Sequence, residues 1–228
     1  MKERVEKLEY TDSNCGNEYD DTVNPGIAVV SSGSITTASW VVDMPDGSQR
    51  MLTCAHQFGA ACNTDIVGEV VDQGGQKFGE VEMVAPEQDW LMIDHRNDGR
   101  SINSQPYGVG GYTVGRLSED MCADHQSQGT ELVKSGYKTC ETRGTIEEIF
   151  KGSYGCKTTV DTGIDVLSCD IENGQGDSGS PLMHDFFAGA LYTAFGGILH
   201  GQVDRARFMS GYGIYNKYGG GNEFAKFT

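Results

Sequence analysis

The chain has 228 residues, 32 of them glycine and only 5 proline, which allows one large domain or two lobes sharing an interface. Asp and Glu number 33 against 17 Lys and Arg, a formal net charge of −16, so nucleic acid and anionic membranes are repelled partners. No run approaches the ~18 apolar residues of a membrane-spanning helix.

The opening "MKERVEKLEY" is polar, carries no apolar signal core, and reads as a short helix or a loose arm over residues 1–24. From Ile27 the texture changes to short apolar runs: "IAVVS", "TTASWVV", "RMLTCA", "DIVGEVV", "FGEVEMV" and "WLMID". Between two of them "MPDGSQ" predicts a hairpin turn, because Pro, Asp and Gly supply its backbone angles. A Gly-rich link, "YGVGGYTVG", divides the chain into lobes at 25–108 and 109–228. The same texture then resumes in "ELVKSG", "TRGTIEEIF", "YGCKTTV", "IDVLSC", "ALYTAFGGIL" and "GYGIYNKY", with a short C-terminal helix as the one late exception. Many short strands punctuated by turns predict an all-β sandwich or barrel.

The acidic residues, among them Asp12, Glu18, Asp20, Asp21, Asp43, Asp46, Glu69 and Asp72, are scattered rather than gathered in a tail. Two readings fit: a salt-adapted surface, or an ordinary acidic secreted protein. The pairs Asp20-Asp21 and Glu147-Glu148 lack the ligand ladder of a calcium loop, and no metal is expected. The seven cysteines, Cys15, Cys54, Cys62, Cys122, Cys140, Cys156 and Cys169, contain no C-x-x-C pair, which argues against zinc. Disulfides are expected, and the odd count leaves at least one thiol over. Cys156 with Cys169 is the first pairing to test, and Cys54 reads either as a small buried hydrophobe or as a partner for Cys62.

The segment "IENGQGDSGSPLM", residues 171–183, is either a plain turn or the seat of a nucleophile. A hydroxyl nucleophile needs a base, and the base needs an orienting acid. Among five histidines, only His56 follows directly on an apolar strand, in "MLTCAHQF". Asp89 stands just before another, in "PEQDWLMIDHR", so the chemical groups run in the order His56, Asp89, Ser178. His95, His125 and His184 lie in polar stretches and read as solvated.

These three segments resemble the motifs of the chymotrypsin-like serine proteases. "LTCAHQF" is similar to the family's histidine motif, "QDWLMID" to its aspartate segment, and "GQGDSGSP" to its G-D-S-G-G-P serine motif. "LVKSGYKT", "TRGTI" and "GGILHG" resemble strands of the bacterial branch, and the likeness covers residues 25–220. It implies two packed six-stranded antiparallel Greek-key β-barrels with the active site in the cleft between them. It also implies an extracellular, monomeric endopeptidase acting on peptides or proteins without a cofactor. Ser178, His56 and Asp89 then become nucleophile, base and orienting acid, and the N–H groups of Gly176 and Ser178 the oxyanion hole. Glu172, Asn173, Gly174 and His200 fall at the primary specificity pocket. Glu172 at its floor implies cleavage after Lys or Arg, unless its carboxylate points to solvent. His200 either modifies substrate fit or ends a strand in solvent. Asp177 is expected to be buried with a cation, which the bacterial pattern places at Lys134, with Arg143 as the substitute. Ser180 replaces a family glycine and should be tolerated. A catalytically silent peptide-binding module on the same fold is the alternative, and a purely structural β-protein a third reading.

Overall fold

The structure, a computed structural model, describes residues 15, 21–58, 65–86, 88–96, 99–108, 113–114, 127–151, 165–187, 191–202, 206–210 and 226–227. Nearly all of them are strand or turn; among the described residues the one helical segment is a 3-10 turn at His56–Phe58.

The first sheet is built from β2 (Ala28–Ser31), β3 (Ser34–Thr37), β4 (Val41–Asp43), β5 (Gln49–Cys54), β6 (Val70–Gln73), β7 (Gln76–Ala85) and β8 (Trp90–Asp94). The predicted turn after β4 is present: Asp43 pairs with Gln49, Met44 N–H donates to Ser48 O at 2.7 Å, and Gly47 adopts φ 81°. The strand order is β4-β5-β8-β7-β6-β2-β3. Its two ends, β3 and β4, are consecutive in sequence, and residues 38–40 join them. Ala38 N–H donates to Ile27 O beside β2, and Ser39 N–H to Leu52 O on β5. One bent run over residues 34–43 thus bonds to both neighbours and closes the sheet into a six-stranded barrel. Inside lie Val29, Val41, Met51, Val71, Phe78, Val81, Leu91 and Ile93, all buried.

The second sheet uses β11 (Glu131–Gly136), β12 (Cys140–Lys151), β13 (Asp165–Cys169), β14 (Pro181–Phe187), β15 (Leu191–Gln202) and β16 (Ala206–Ser210). Its order is β15-β14-β11-β12-β13-β16, and β15 also pairs with β16, so this sheet closes on six strands as well. Leu132, Ile146, Leu167, Ile171, Leu182 and Phe208 fill it. Short strands trim both barrels. A parallel pair joins β1 (Thr22–Val23) to β9 (Ser101–Ile102), and β10 (Thr113–Val114) runs parallel to β15. The last strand, β17 (Lys226–Phe227), returns to pair with β4 of the first barrel, where the sequence pattern predicts a helix. The apolar runs at 154–160 and 211–218, the N-terminal helix or arm over 1–14, and His125 lie outside the described residues.

The cysteines differ from expectation. Cys15 and Cys140 form a disulfide that spans 125 residues of sequence, and Cys15 N–H donates to Tyr137 O at 2.7 Å. Cys169 is a free, buried thiol, so the expected Cys156–Cys169 bridge is not formed; burial, with Glu147 nearby, pushes that thiol up to about 12. Position decides this: Cys169 faces the interior of the second barrel, packed among its core residues. Cys54 is also free and buried, in line with its reading as a small hydrophobe rather than a partner for Cys62.

Candidate active site

His56 opens the 3-10 turn that ends β5, so its ring leaves a fully buried strand end. Asp89 is the residue before β8 and takes φ 55°, an uncommon backbone angle for a side-chain-bearing residue. β5 and β8 are neighbours with Cys54 opposite Trp90, which sets His56 and Asp89 side by side. Asp89 Oδ1 accepts the His56 backbone N–H at 2.7 Å, and Oδ2 lies 2.7 Å from Nδ1. Both carboxylate oxygens therefore serve one residue, which fixes the ring's position and assigns the Nδ1 proton to the side facing Asp89. Asp89 is 1% exposed, while the His56 side chain retains 20%.

Ser178 comes from the second barrel, in the turn that leads into β14. Its Oγ stands 3.1 Å from His56 Nε2, which completes a hydrogen-bonded chain from Asp89 through His56 to Ser178 across the two barrels. Burial alone lowers the His56 pKa, and the neighbouring Cys54 sulfur offsets it, with a net rise above 6.5. The Asp89 carboxylate acts in the same upward direction, because it stabilises the imidazolium.

The strand that closes the first barrel grips the serine turn. Thr37 N–H donates to Ser178 O at 2.8 Å, Thr36 Oγ1 donates to the same oxygen, and Thr37 Oγ1 donates to Gly176 O at 2.8 Å. Thr36 Oγ1 also lies 3.1 Å from Cys54 Sγ. Gly176 has φ 107°, and a Cβ on it would lie 2.2 Å from the Tyr137 ring. Gly179 has φ 87°, and a Cβ there would lie 2.3 Å from Thr37 O. Only glycine fits either place. Ser180 is buried with its hydroxyl donating to Asp177 O at 2.5 Å, so the extra side chain is accommodated.

Asp177, between Gly176 and Ser178, turns away from the cleft into a second nest. Its Oδ2 accepts from Lys134 Nζ at 2.8 Å, Thr139 Oγ1 at 2.6 Å and Gly174 N–H at 2.9 Å. Its Oδ1 accepts the N–H groups of Lys138 at 2.9 Å and Thr139 at 3.2 Å. Lys134 and Asp177 have fully buried side chains. Burial raises the Asp177 pKa, but Lys134 and the surrounding donors outweigh it and the net direction is down. For Lys134 burial dominates over the attraction of Asp177, so its pKa also falls. Lys134 first, and then the Thr139 hydroxyl and the Gly174 N–H, thus keep the carboxylate ionised. Arg143 bonds Glu141 at the surface instead, at 2.8 Å.

Glu172 is exposed, and its backbone carbonyl accepts from Thr142 Oγ1 at 3.0 Å. Asn173 Nδ2 donates to Ile171 O at 3.2 Å. Gly174 packs beneath Lys138, whose Cγ would lie 2.9 Å from a Cβ placed there. His200 belongs to β15, but its side chain lies outside the described residues. Sequence reasoning missed Thr36, Thr37, Tyr137, Thr139 and Gln57, the last of which reaches Ser178 Oγ. Thr36 and Thr37 are polar neighbours that the fold buries completely, so their role shows only once the barrels are assembled.

No family model matches the chain, and no curated protein does. Solved structures do. A Nocardiopsis protease superposes with TM-score 0.59 at 18% identity, covering 86% of this chain and 96% of its own. Thermobifida fusca protease A gives 0.56 at 16%, covering 83% and 90%. A glutamic acid-specific serine protease that uses a histidine triad in substrate binding gives 0.58 at 20%, covering 86% and 97%. The two closed barrels and these superpositions place the chain in the two-barrel fold of the bacterial chymotrypsin-like serine proteases.

Proposed function

We propose that the protein is a serine endopeptidase that cleaves peptide bonds through an acyl-enzyme. The observation that carries this reading is the continuous chain Asp89–His56–Ser178, with contacts of 2.7 and 3.1 Å, assembled from both barrels. Ser178 Oγ attacks the scissile carbonyl while His56 Nε2 takes its proton. The C–N bond then breaks and His56 delivers that proton to the leaving amine. Asp89 keeps the lone pair of His56 on Nε2 and stabilises the imidazolium. The N–H groups of Gly176 and Ser178 receive the developing oxyanion, each such donor being worth about 3 kcal/mol of barrier. Asp177, anchored to Lys134, holds the serine turn in shape without any newly cut N-terminus. The chemistry requires neither metal nor cofactor. The Cys15–Cys140 disulfide supports an oxidising, extracellular setting.

Glu172 is exposed rather than buried at a pocket floor; Lys and Arg remain the residues expected before the cut, paired with that exposed carboxylate. One observation favours the opposite preference: Lys138 lies against Gly174, which puts a basic side chain on the same wall. Cleavage after acidic residues is therefore the second reading.

The experiment has two arms. A fluorophosphonate should label the protein at Ser178 and not label Ser178→Ala. Absence of label in the wild type would favour a silent binding module instead. A peptide library varied before the cut should then rank Lys and Arg first, and Glu172→Gln should remove most of that preference. A first rank for Glu or Asp would transfer the specificity to Lys138.

A further inference from the structure

Gln57, immediately after His56 in the 3-10 turn, is half-buried, and its side-chain Nε2 lies 3.3 Å from Ser178 Oγ. His56 Nε2 lies 3.1 Å from the same oxygen. The serine hydroxyl has one hydrogen to give and lone pairs to receive with. An amide N–H can only donate. If Gln57 donates to Oγ, the single Ser178 hydrogen is left for His56 Nε2. That nitrogen has its lone pair free, because the neutral ring's single N–H proton sits on Nδ1, facing Asp89 at 2.7 Å. Every hydrogen in the row Gln57–Ser178–His56–Asp89 then points the same way, toward the carboxylate.

We propose that Gln57 is a positioning residue for the nucleophile, holding Ser178 Oγ as an acceptor so that its hydrogen is aimed at His56. This rests on the endopeptidase reading above. Its location supports a local role. The Gln57 amide stands over the serine from the first barrel, while Thr36 and Thr37 of that barrel hold the Ser178 carbonyl and Gly176 from behind. The first barrel thus fixes the serine turn through its backbone and the hydroxyl through Gln57. The contact is made before attack. Once Oγ bonds to carbon it becomes an ester oxygen, a poorer acceptor, and the amide is released for the acyl-enzyme stage.

The test uses the full chain with its disulfide intact and compares wild type, Gln57→Met and Gln57→Glu. Met keeps the length and removes the donor. Glu keeps the shape but, when ionised, can only accept, so it competes with His56 for the one hydrogen of Ser178. The readout is the second-order rate of labelling by a fluorophosphonate, in which the Oγ–P bond forms, fluoride leaves and the serine proton passes to His56. Gln57→Met should label about tenfold more slowly, the scale of one neutral hydrogen bond, with kcat falling and KM unchanged. Gln57→Glu should be slower still at pH 8, and its acid midpoint should move upward because a carboxylate near the ring favours imidazolium. Melting temperatures should match the wild type. If wild type itself does not label, the endopeptidase reading falls and this one falls with it. If wild type labels and Gln57→Met labels equally fast, or Gln57→Glu is at least as fast as Gln57→Met, Gln57 does not aim the hydroxyl.

Discussion

Two buried carboxylates, one on each side of the site, are held in different ways. Asp89 of the first barrel grips a single residue, accepting both the backbone N–H and Nδ1 of His56. Asp177 of the second barrel gathers donors from Lys134, Lys138, Thr139 and Gly174. The partner of Asp89 keeps part of its surface open and changes charge near neutral pH. The partner of Asp177 is a lysine whose side chain is fully buried. In the proposed reaction one carboxylate orients a moving proton and the other freezes a turn. Burial alone does not separate the two roles, since both groups are almost completely enclosed. The number and permanence of the donors do.

The comparison breaks most visibly under substitution. Asp89→Asn should lower kcat by about 10⁴ while leaving the melting temperature nearly unchanged, because the ring keeps its place with the wrong tautomer. Combined with Ser178→Ala it should cost little more than Ser178→Ala alone, since the three residues act as a unit. Lys134→Met should do the reverse in kind: it strands Asp177 in the interior, and a broken buried pair costs about 3–5 kcal/mol. Activity is then lost through unfolding of the serine turn and appears as a lowered melting temperature. Denaturant melts run beside turnover assays separate the two. A Lys134→Met protein with full activity and normal stability would mean that Lys138, Thr139 and Gly174 hold Asp177 without help.

The same contrast predicts two separate pH windows. In the proposed mechanism His56 must be neutral to take the Ser178 proton, and its pKa is raised above 6.5. Activity should therefore disappear as pH falls through a midpoint above 6.5. The raised value also means that His56 contributes stability below 6.5 and loses it as pH rises through the folded-state pKa. Asp177 has the opposite sign. Its pKa is lowered from 3.8, so its contribution is present above 3.8 and is lost only as pH falls through the lower folded value. At pH 5 the protein should be folded, inactive and fully recoverable on return to pH 8. Coincident loss of activity and of near-ultraviolet circular dichroism would merge the windows and remove the distinction between the two carboxylates.

How much of this was legible beforehand differs between the two nests. His56, Asp89 and Ser178 each sit in a short segment with a recognisable neighbourhood, and the Lys134–Asp177 pair was expected from the resemblance to the bacterial branch; the structure brings both sets within hydrogen-bond distance. Barrel closure was expected only through the family resemblance, because it depends on a bend at residues 38–40 that bonds to two strands at once. Tyr137, whose ring packs on Gly176, and Thr139, which bonds Asp177, were not readable; their roles arise only when the β11–β12 turn meets the serine turn from a distant part of the chain. The Cys15–Cys140 bridge joins residues 125 apart, and spacing carries no information at that range.

The smallest expected effect concerns the surface and sharpens the comparison by leaving both nests alone. With 33 acidic residues against 17 basic ones, 16 carboxylates are in excess, and folding crowds them together. Raising salt from 0.1 M to 1 M shortens the screening length from about 10 Å to about 3 Å, which weakens that repulsion. It also weakens attractive surface pairs such as Lys77–Glu80 and Arg96–Asp94, which pulls the other way. Exposed pairs are worth about 0–1 kcal/mol each, and those two involve only four of the chain's charges. Repulsion among the excess carboxylates should win, and 1 M sodium chloride should raise the melting temperature by roughly 4 °C, about what 1–2 kcal/mol delivers at this chain length. Chloride is the salt to use, because sulfate stabilises proteins by exclusion from the surface whatever their charge. A flat or falling melting temperature would remove the salt-adapted reading of the acidic surface. The activity midpoint set by His56 is the internal control. Its partner carboxylate is buried at 2.7 Å, where mobile ions do not reach, so salt should move that midpoint far less than it moves the melting curve.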